Sequence, residues 1–130
     1  MKTILLIEDN CNILENLTEF LEIEGFRILV ASNGKMGIEL AREFIPDLII
    51  CDVVMPDMDG HEVLRLLLAT AITYEIPFIF STSMSEKVDR SEALRLGADD
   101  YIIKPFDPEK LLLLANAWIK SGSTRHTLPI

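Results

Sequence analysis

Short strand-like segments alternate with segments of helical periodicity along most of this chain. Helices that join successive strands favour right-handed βαβ units, in which helices cover both faces of a parallel sheet. The pattern therefore predicts an α/β fold with a doubly wound, five-stranded parallel sheet. The predicted strands are residues 4–7, 26–31, 48–52, 76–82 and 100–105, and the predicted helices are residues 10–24, 35–44, 61–70, 86–96 and 108–120.

The third predicted strand is an apolar run that ends in the carboxylate of Asp52, and turn-forming residues follow it as far as Gly60. Such a run is typical of a strand buried on both faces of its sheet. Ligands of open parallel sheets bind in the crevice beyond the carboxyl ends of the strands, which favours Asp52 as a ligand-binding residue. A residue that only caps the turn is the alternative interpretation.

Polar side chains recur at the same end of the other predicted strands. Glu8 and Asp9 follow the first strand, Thr82 ends the fourth and Lys104 ends the fifth. Scattered surface charges would show no such preference for one edge, so the turn-cap interpretation of Asp52 loses support. The three carboxylates would repel one another and raise their own pKa values unless a cation neutralised them. Oxygen ligands of this type suit Mg²⁺, which is therefore the expected ion.

A carboxylate at such an edge is a candidate nucleophile towards a phosphoryl group. Asp52 would attack the phosphorus, while the Lys104 ammonium and the metal would neutralise charge on the phosphoryl oxygens. The Thr82 hydroxyl would then be placed to hydrogen-bond one of those oxygens. The residues by themselves thus point to chemistry on a phosphoryl group, either as a signalling switch or as an enzymatic turnover.

The amino-acid composition excludes some classes of binding partner. The formal net charge of −9 argues against direct binding of nucleic acid, because phosphate backbones are bound by basic surfaces. The two cysteines lack metal-type spacing, so both are expected to be reduced, with Cys51 buried. The apolar stretch that precedes Glu8 is too short for a signal peptide or a membrane span, which predicts a cytoplasmic protein without a membrane partner.

Several motifs in this order resemble the response-regulator receiver domain of two-component signalling, from Lys2 to about Ile119. They are Glu8-Asp9, Asp52-x-x-Met55-Pro56-x-x-Asp59-Gly60, Ile76-Pro77-x-Ile79-x-x-Thr82 and Gly97-Ala98-Asp99-Asp100-Tyr101-Ile102-x-Lys104-Pro105-Phe106. The resemblance implies a flavodoxin-like fold with strand order 2-1-3-4-5. It also implies that residues 1–120 form the receiver domain and residues 121–130 a tail or the start of a linker.

The resemblance assigns a role to each candidate residue. Asp52 would take a phosphoryl group from the phosphohistidine of a sensor histidine kinase or phosphotransfer protein. Asp9, Asp52 and the backbone carbonyl of Val54 would bind Mg²⁺, and Glu8 would act through water. The Lys104–Pro105 peptide bond is expected to be cis, which aims the lysine at the site.

The same resemblance implies a switch. Thr82 would move towards the aspartyl phosphate, and Tyr101 would turn inward behind it, which changes the face made by the fourth helix, the fifth strand and the fifth helix. A phosphoryl group gives this response a physical cause, because it adds about −1.5 to −2 charges and strong acceptor oxygens. The alternatives are that Thr82 only satisfies the end of a strand and that Tyr101 is static at the surface.

By the same resemblance, the apolar residues Val54 and Met84 would flank the line along which water attacks the aspartyl phosphate. Neither side chain can orient water by a strong hydrogen bond, which predicts slow self-dephosphorylation in a switch that is not an enzyme. A phosphatase with an aspartyl-phosphate intermediate is a weaker alternative, since it would need a carboxylate where Val54 stands. A receiver that acts by phosphorylation-independent protein interaction is the other alternative.

The predicted third and fifth helices carry more leucine than one buried stripe requires. In the fifth helix, residues 111–114, Trp118 and Ile119 place apolar side chains around more than one face. The surplus predicts a docking patch for a downstream protein target or for a homodimer through the last helix or the face of the fourth helix, fifth strand and fifth helix. Coverage by the stems of lysine and glutamate is the alternative.

Overall fold

The computed structural model describes residues 1–83 and 90–122 and contains a sheet of five parallel strands in the order β2-β1-β3-β4-β5. This order confirms the predicted flavodoxin-like topology. The strands are β1 (Thr3–Ile7), β2 (Arg27–Ala31), β3 (Leu48–Asp52), β4 (Phe78–Ser83) and β5 (Asp100–Lys104). The helices are α1 (Cys11–Ile23), α2 (Gly34–Phe44), α3 (Gly60–Leu68), α4 (Arg90–Arg95) and α5 (Pro108–Ser121).

Two apolar cores lie on opposite faces of the sheet. On one face, α2 and α3 pack through residues such as Ile38, Val63 and Leu67, and on the other, α1 and α5 pack through residues such as Leu21 and Leu111. All five residues of β3 are buried, as its continuous apolar run predicts. No described helix has both the length and the apolar composition that a membrane crossing requires.

Residues that flank the helices determine where the helices begin and end. Asn10 caps α1 by accepting hydrogen bonds from the backbone N–H groups of Asn12 and Ile13, and Asp59 caps α3 by accepting one from Glu62. Gly25 follows α1 with a φ of 98°, a left-handed conformation in which glycine carries no Cβ penalty. These local signals explain why most predicted boundaries agree with the structure to within two residues.

The start of β4 differs from its prediction. The backbone N–H of Ile76 donates to the Thr73 carbonyl and closes a turn, so the strand begins at Phe78 rather than at residue 76. Pro77 has no N–H to donate, although its carbonyl accepts from Ile49 at 2.9 Å. The predicted start of α4 at residue 86, and residues 123–130 of the predicted tail, lie outside the described residues.

The leucines of α3 and α5, the two leucine-rich helices, differ in how far they are buried. In α3, Leu64 and Leu67 are buried, and the neighbouring Leu66 and Leu68 are half-buried. In α5, Leu111 is buried, but the side chain of Leu113 is 71% exposed. Among these leucines, Leu113 is thus the strongly exposed one, and the docking patch on α5 stays a prediction.

Candidate functional site

Three carboxylates meet where β1 and β3 end. One carboxylate oxygen from each of Glu8, Asp9 and Asp52 lies within 4.8 Å of the other two. The two strands are direct neighbours, with Ile7 opposite Cys51, so the residues that follow Ile7 come to lie beside Asp52. Glu8 and Asp52 are buried and Asp9 is exposed. The sheet register thus brings together residues that stand more than forty positions apart in the chain.

The Lys104 ammonium joins this cluster from β5, even though β4 separates β5 from β3. Its Nζ donates a hydrogen bond to Oε1 of Glu8 at 2.6 Å and lies 3.2 Å from Oδ1 of Asp52. The Lys104–Pro105 peptide bond is cis, as predicted. The direct contact with Glu8 was not predicted, since the sequence interpretation directed Lys104 only towards a phosphoryl group.

Burial and mutual repulsion determine the ionisation of the cluster. Removal of Asp52 from water raises the pKa of its carboxyl group from 3.8 to about 7, with repulsion by Glu8 acting in the same direction and Lys104 opposing both. Burial lowers the pKa of Lys104, but the hydrogen bond to Glu8 and the charges of Glu8 and Asp52 outweigh this effect and raise it. Lys104 is therefore positively charged. Its single positive charge does not neutralise three ionised carboxylates.

The donor set suits a hard cation. Oδ1 of Asp52 is buried, and its contact with the Lys104 ammonium at 3.2 Å lacks the geometry of a hydrogen bond. A buried carboxylate oxygen without a well-aligned donor is costly, and a cation that binds there would reduce this cost. All three side chains offer oxygen atoms, the ligands preferred by Mg²⁺ and Ca²⁺. The residues present therefore fit a divalent cation of the kind expected from the sequence.

The remaining predicted residues lie around this cluster. Thr82 is 1% exposed near the end of β4, and its hydroxyl donates to the Ser83 carbonyl at 3.3 Å. Tyr101 is half-buried and packs against the core shared by α2 and α3. The Val54 side chain is 57% exposed two residues after Asp52. Met84, the other residue of the dephosphorylation prediction, lies outside the described residues.

Gly60 holds the loop after β3 against the strand that precedes it. Its backbone N–H donates to the Val53 carbonyl at 2.7 Å, and a Cβ at this position would lie 2.4 Å from the carbonyl oxygen of Asp52. The sequence interpretation identified Gly60 only as a turn residue. The close approach depends on how the loop folds back on β3, which turn composition alone does not show.

Substitution of Gly60 by alanine is expected to lower the free energy of unfolding by about 1–3 kcal/mol, because the added Cβ meets backbone atoms that cannot yield. Gly34→Ala is a matched control, since Gly34 is likewise the first residue of a helix and the nearest atoms belong to side chains. Urea unfolding of both variants measures the difference. Equal losses would show that the backbone approach at Gly60 has no special role.

A five-stranded parallel sheet with an acidic cluster and a lysine at its carboxyl edge defines a flavodoxin-like domain with an acidic site whose residues fit a cation. The chain belongs to the response regulator receiver domain family of two-component systems, whose sequence profile matches residues 4–116. The motifs that carried the resemblance lie within this match. The sequence prediction of the family is thereby confirmed.

The match to this chain covers different fractions of the length of its characterised relatives. The transcriptional regulatory protein CreB of Escherichia coli K12 is 41% identical over 110 residues, which are 85% of this chain and 47% of CreB. PilH of Pseudomonas aeruginosa PAO1 is 39% identical over 117 residues, covering 90% of this chain and 97% of PilH. The chain thus spans about half of CreB and nearly all of PilH.

Solved structures agree with the fold. A response regulator receiver domain protein from Clostridium thermocellum superposes with a TM-score of 0.86 at 30% identity, covering 93% of this chain and 96% of that one. The receiver domain of the sensor histidine kinase PA1611 from Pseudomonas aeruginosa PAO1 superposes with a TM-score of 0.84 at 28% identity, covering 92% of this chain and 98% of that one. The latter structure has a magnesium ion coordinated in its active site cleft.

Proposed function

We propose that this receiver domain is a phosphoacceptor of a two-component phosphorelay and that Asp52 is the residue phosphorylated. The observation that carries the proposal is the buried Asp52 carboxyl group, with one oxygen 3.2 Å from the Lys104 ammonium and two further carboxylates beside it. In the reaction, an Asp52 oxygen attacks the phosphorus of a phosphohistidine and the P–N bond breaks. The imidazole of the donor leaves with the electron pair of that bond.

Each neighbour of Asp52 has a separate task in this proposal. Lys104 brings positive charge to the oxygens of the incoming phosphoryl group, which favours the charge distribution of the transition state. Asp9, Asp52 and the Val54 carbonyl would hold Mg²⁺, with Glu8 acting through water. When bound, Mg²⁺ supplies charge that offsets the carboxylates and the phosphoryl oxygens. The magnesium in the cleft of the PA1611 receiver supports this choice of ion.

Magnesium is expected to stabilise the folded domain measurably. A ligand that binds only the folded state adds about 2.7 kcal/mol at a concentration of about 100 times its dissociation constant. We expect the melting temperature to rise with MgCl₂ at about pH 8, where Asp52 is ionised, and to fall again with EDTA. Thermal melts with NaCl at matched ionic strength are the control. A rise that MgCl₂ and NaCl produce equally would argue against the cation site.

Thr82 and Tyr101 are the proposed switch residues. Phosphorylation of Asp52 adds acceptor oxygens near the end of β4, where the buried Thr82 hydroxyl now donates weakly to the next carbonyl at 3.3 Å. A stronger acceptor would draw that hydroxyl away. Movement of Thr82 would be accompanied by a change in the packing of Tyr101. The surface made by α4, β5 and α5 would change as a result.

Incubation with Mg²⁺ and acetyl phosphate, followed by intact mass measurement, tests the proposed function. One phosphate adduct per chain is the expected result. Continuous release of inorganic phosphate over many turnovers would instead support the phosphatase alternative. No adduct on folded protein in the presence of Mg²⁺ would favour a receiver that acts through phosphorylation-independent interactions.

Slow loss of the phosphoryl group is the expected behaviour of the phosphorylated domain, because the exposed Val54 side chain cannot orient water. Val54→Asn, alone and combined with Met84→Glu, is expected to accelerate dephosphorylation by about tenfold, the equivalent of about 1.4 kcal/mol in the barrier. Ile72→Asn is a matched control, since its side chain is 58% exposed at a site remote from Asp52 in sequence. Phosphate release timed after removal of the donor measures the rates, and an unchanged double variant would contradict the expectation.

The proposed partners are a sensor histidine kinase or phosphotransfer protein and a downstream protein target in the cytoplasm, without direct contact to nucleic acid. Residues 1–120 would form the receiver unit, and the family match to residues 4–116 supports this span. A homodimer through α5 or the face of α4, β5 and α5 would use the exposed Leu113 side chain. Sedimentation before and after phosphorylation tests this association.

A further inference from the structure

A second surface of interest is a groove of about 640 Å³ between α1 and the edge strand β2. Apolar side chains of Leu14, Ile23 and Val30 line it, and those of Ile23 and Val30 are 77% and 42% exposed. The opposite flank of α1 faces a different hollow, which contains Lys104 and Phe106. We name this feature the α1–β2 groove, and Glu8, Asp9, Asp52 and Lys104 are not among the residues that line it.

An acidic row borders the α1–β2 groove. Glu15, Glu19 and Glu22 stand at helical spacing on α1, so that their carboxylates project from one side of the helix. None of the three side chains takes part in an ion pair or hydrogen bond within the described residues. Like charges three and four positions apart destabilise a helix, so this row leaves a local electrostatic cost that a cationic partner would relieve.

Thr18 also lines the groove, but its hydroxyl oxygen is buried and has no hydrogen-bond partner among the residues that the structure describes. A buried oxygen is not open to an occupant. The features that an occupant would meet are therefore the exposed apolar side chains and the acidic row.

The negative charge of the acidic row distinguishes between the classes of molecule that could bind in the groove. Nucleic acid and anionic lipid headgroups would meet the three glutamates and a formal net charge of −9. A second copy of this chain in a two-fold contact would place the same glutamates against each other, because such an interface uses one surface twice. A protein segment rich in lysine or arginine is the occupant whose charge complements the row.

We propose that the α1–β2 groove binds an amphipathic basic helix of a partner protein. Its apolar side chains would cover Leu14, Ile23 and Val30, and its cationic side chains would pair with the acidic row. The 13 residues of α1 span about 20 Å, which matches a partner helix of about four turns. This binding does not require phosphorylation of Asp52, so the proposal stands apart from the proposed function.

The test uses a synthetic helical peptide of about 14 residues, with leucine on one face and lysine on the other. Titration into ¹⁵N-labelled protein is expected to shift the amide signals of α1 and β2. Glu15→Gln with Glu19→Gln and Glu22→Gln should weaken binding by about tenfold, since exposed charge pairs are individually weak but the variant removes three of them. A matched triple variant that removes three exposed carboxylates elsewhere, Glu39→Gln with Glu43→Gln and Glu75→Gln, should change the affinity less than about twofold.

The apolar part of the groove is tested by Ile23→Ser, which alters an exposed side chain and should weaken the peptide further without loss of stability. Several outcomes would overturn the proposal. They are no binding by the unaltered protein, equal weakening by the two triple variants, and signal shifts that map to another surface. Equal weakening would mean that an acidic protein attracts cations without a defined site.

Discussion

Asp52→Asn is expected to take up no phosphoryl group from acetyl phosphate under conditions in which the unaltered domain gains one adduct. The amide of asparagine cannot form the acyl phosphate, and of the neighbouring carboxylates Glu8 is already hydrogen-bonded to Lys104 and Asp9 is exposed. Intact mass spectrometry in the presence of Mg²⁺ measures the adduct. The expected effect is complete loss rather than a change in rate.

The same variant is expected to remain folded and to gain stability relative to the unaltered domain as the pH rises. Because the pKa of Asp52 is about 7 in the folded protein and 3.8 is the ordinary value of an aspartate, the folded protein keeps a proton that the unfolded chain has lost between these values. Stability from this group therefore falls as the pH rises through that window. Asparagine has no such dependence, so urea unfolding of both proteins without Mg²⁺ should show a growing advantage for the variant.

Asp57→Asn is the matched control for the chemistry. Asp57 is exposed in the loop after β3 and has a φ of 68°, a left-handed conformation that asparagine adopts readily. This variant should accept phosphate as the unaltered domain does. An adduct that persists in Asp52→Asn at the same yield would assign the phosphoacceptor to another residue and would remove the basis of the proposed function.

Lys104→Met is expected to affect both stability and phosphorylation. It removes the ammonium that contacts Glu8 and Asp52 and leaves two buried carboxyl groups without a cation. Loss of one partner of a buried pair costs about 3–5 kcal/mol, and the partial exposure of the lysine reduces this to about 2 kcal/mol. The rate of phosphoryl uptake should fall by about 10²–10³, the effect of removing one group that stabilises transition-state charge.

The loss of stability in Lys104→Met should be larger at about pH 8 than at about pH 5, because protonation of Asp52 below its pKa of about 7 relieves the repulsion from Glu8. Urea unfolding without Mg²⁺ at the two pH values measures the difference. Lys110→Met is the control, since Lys110 is exposed on α5. A loss that is the same at both pH values would indicate that the lysine stabilises the fold by packing rather than by charge.

Much of the fold could be predicted because its signals are local. The apolar run of β3, the cap at Asn10 and the left-handed Gly25 each depend on a few adjacent residues. The start of β4 was predicted two residues early, because Ile76 is as apolar as the strand but its N–H closes a turn to Thr73. That hydrogen bond depends on the path of the chain after α3, which periodicity does not contain.

The sequence by itself determined the order of strands and helices and the chemical groups that stand at the strand ends. Only the tertiary structure decided that Lys104 contacts both Glu8 and Asp52, that burial more than repulsion raises the pKa of Asp52, and that α1 borders an acidic groove beside β2. The physical reason is distance. Periodicity and capping act over a few residues, whereas hydrogen bonds, desolvation and repulsion depend on ångström-scale separations between residues that lie far apart in the chain.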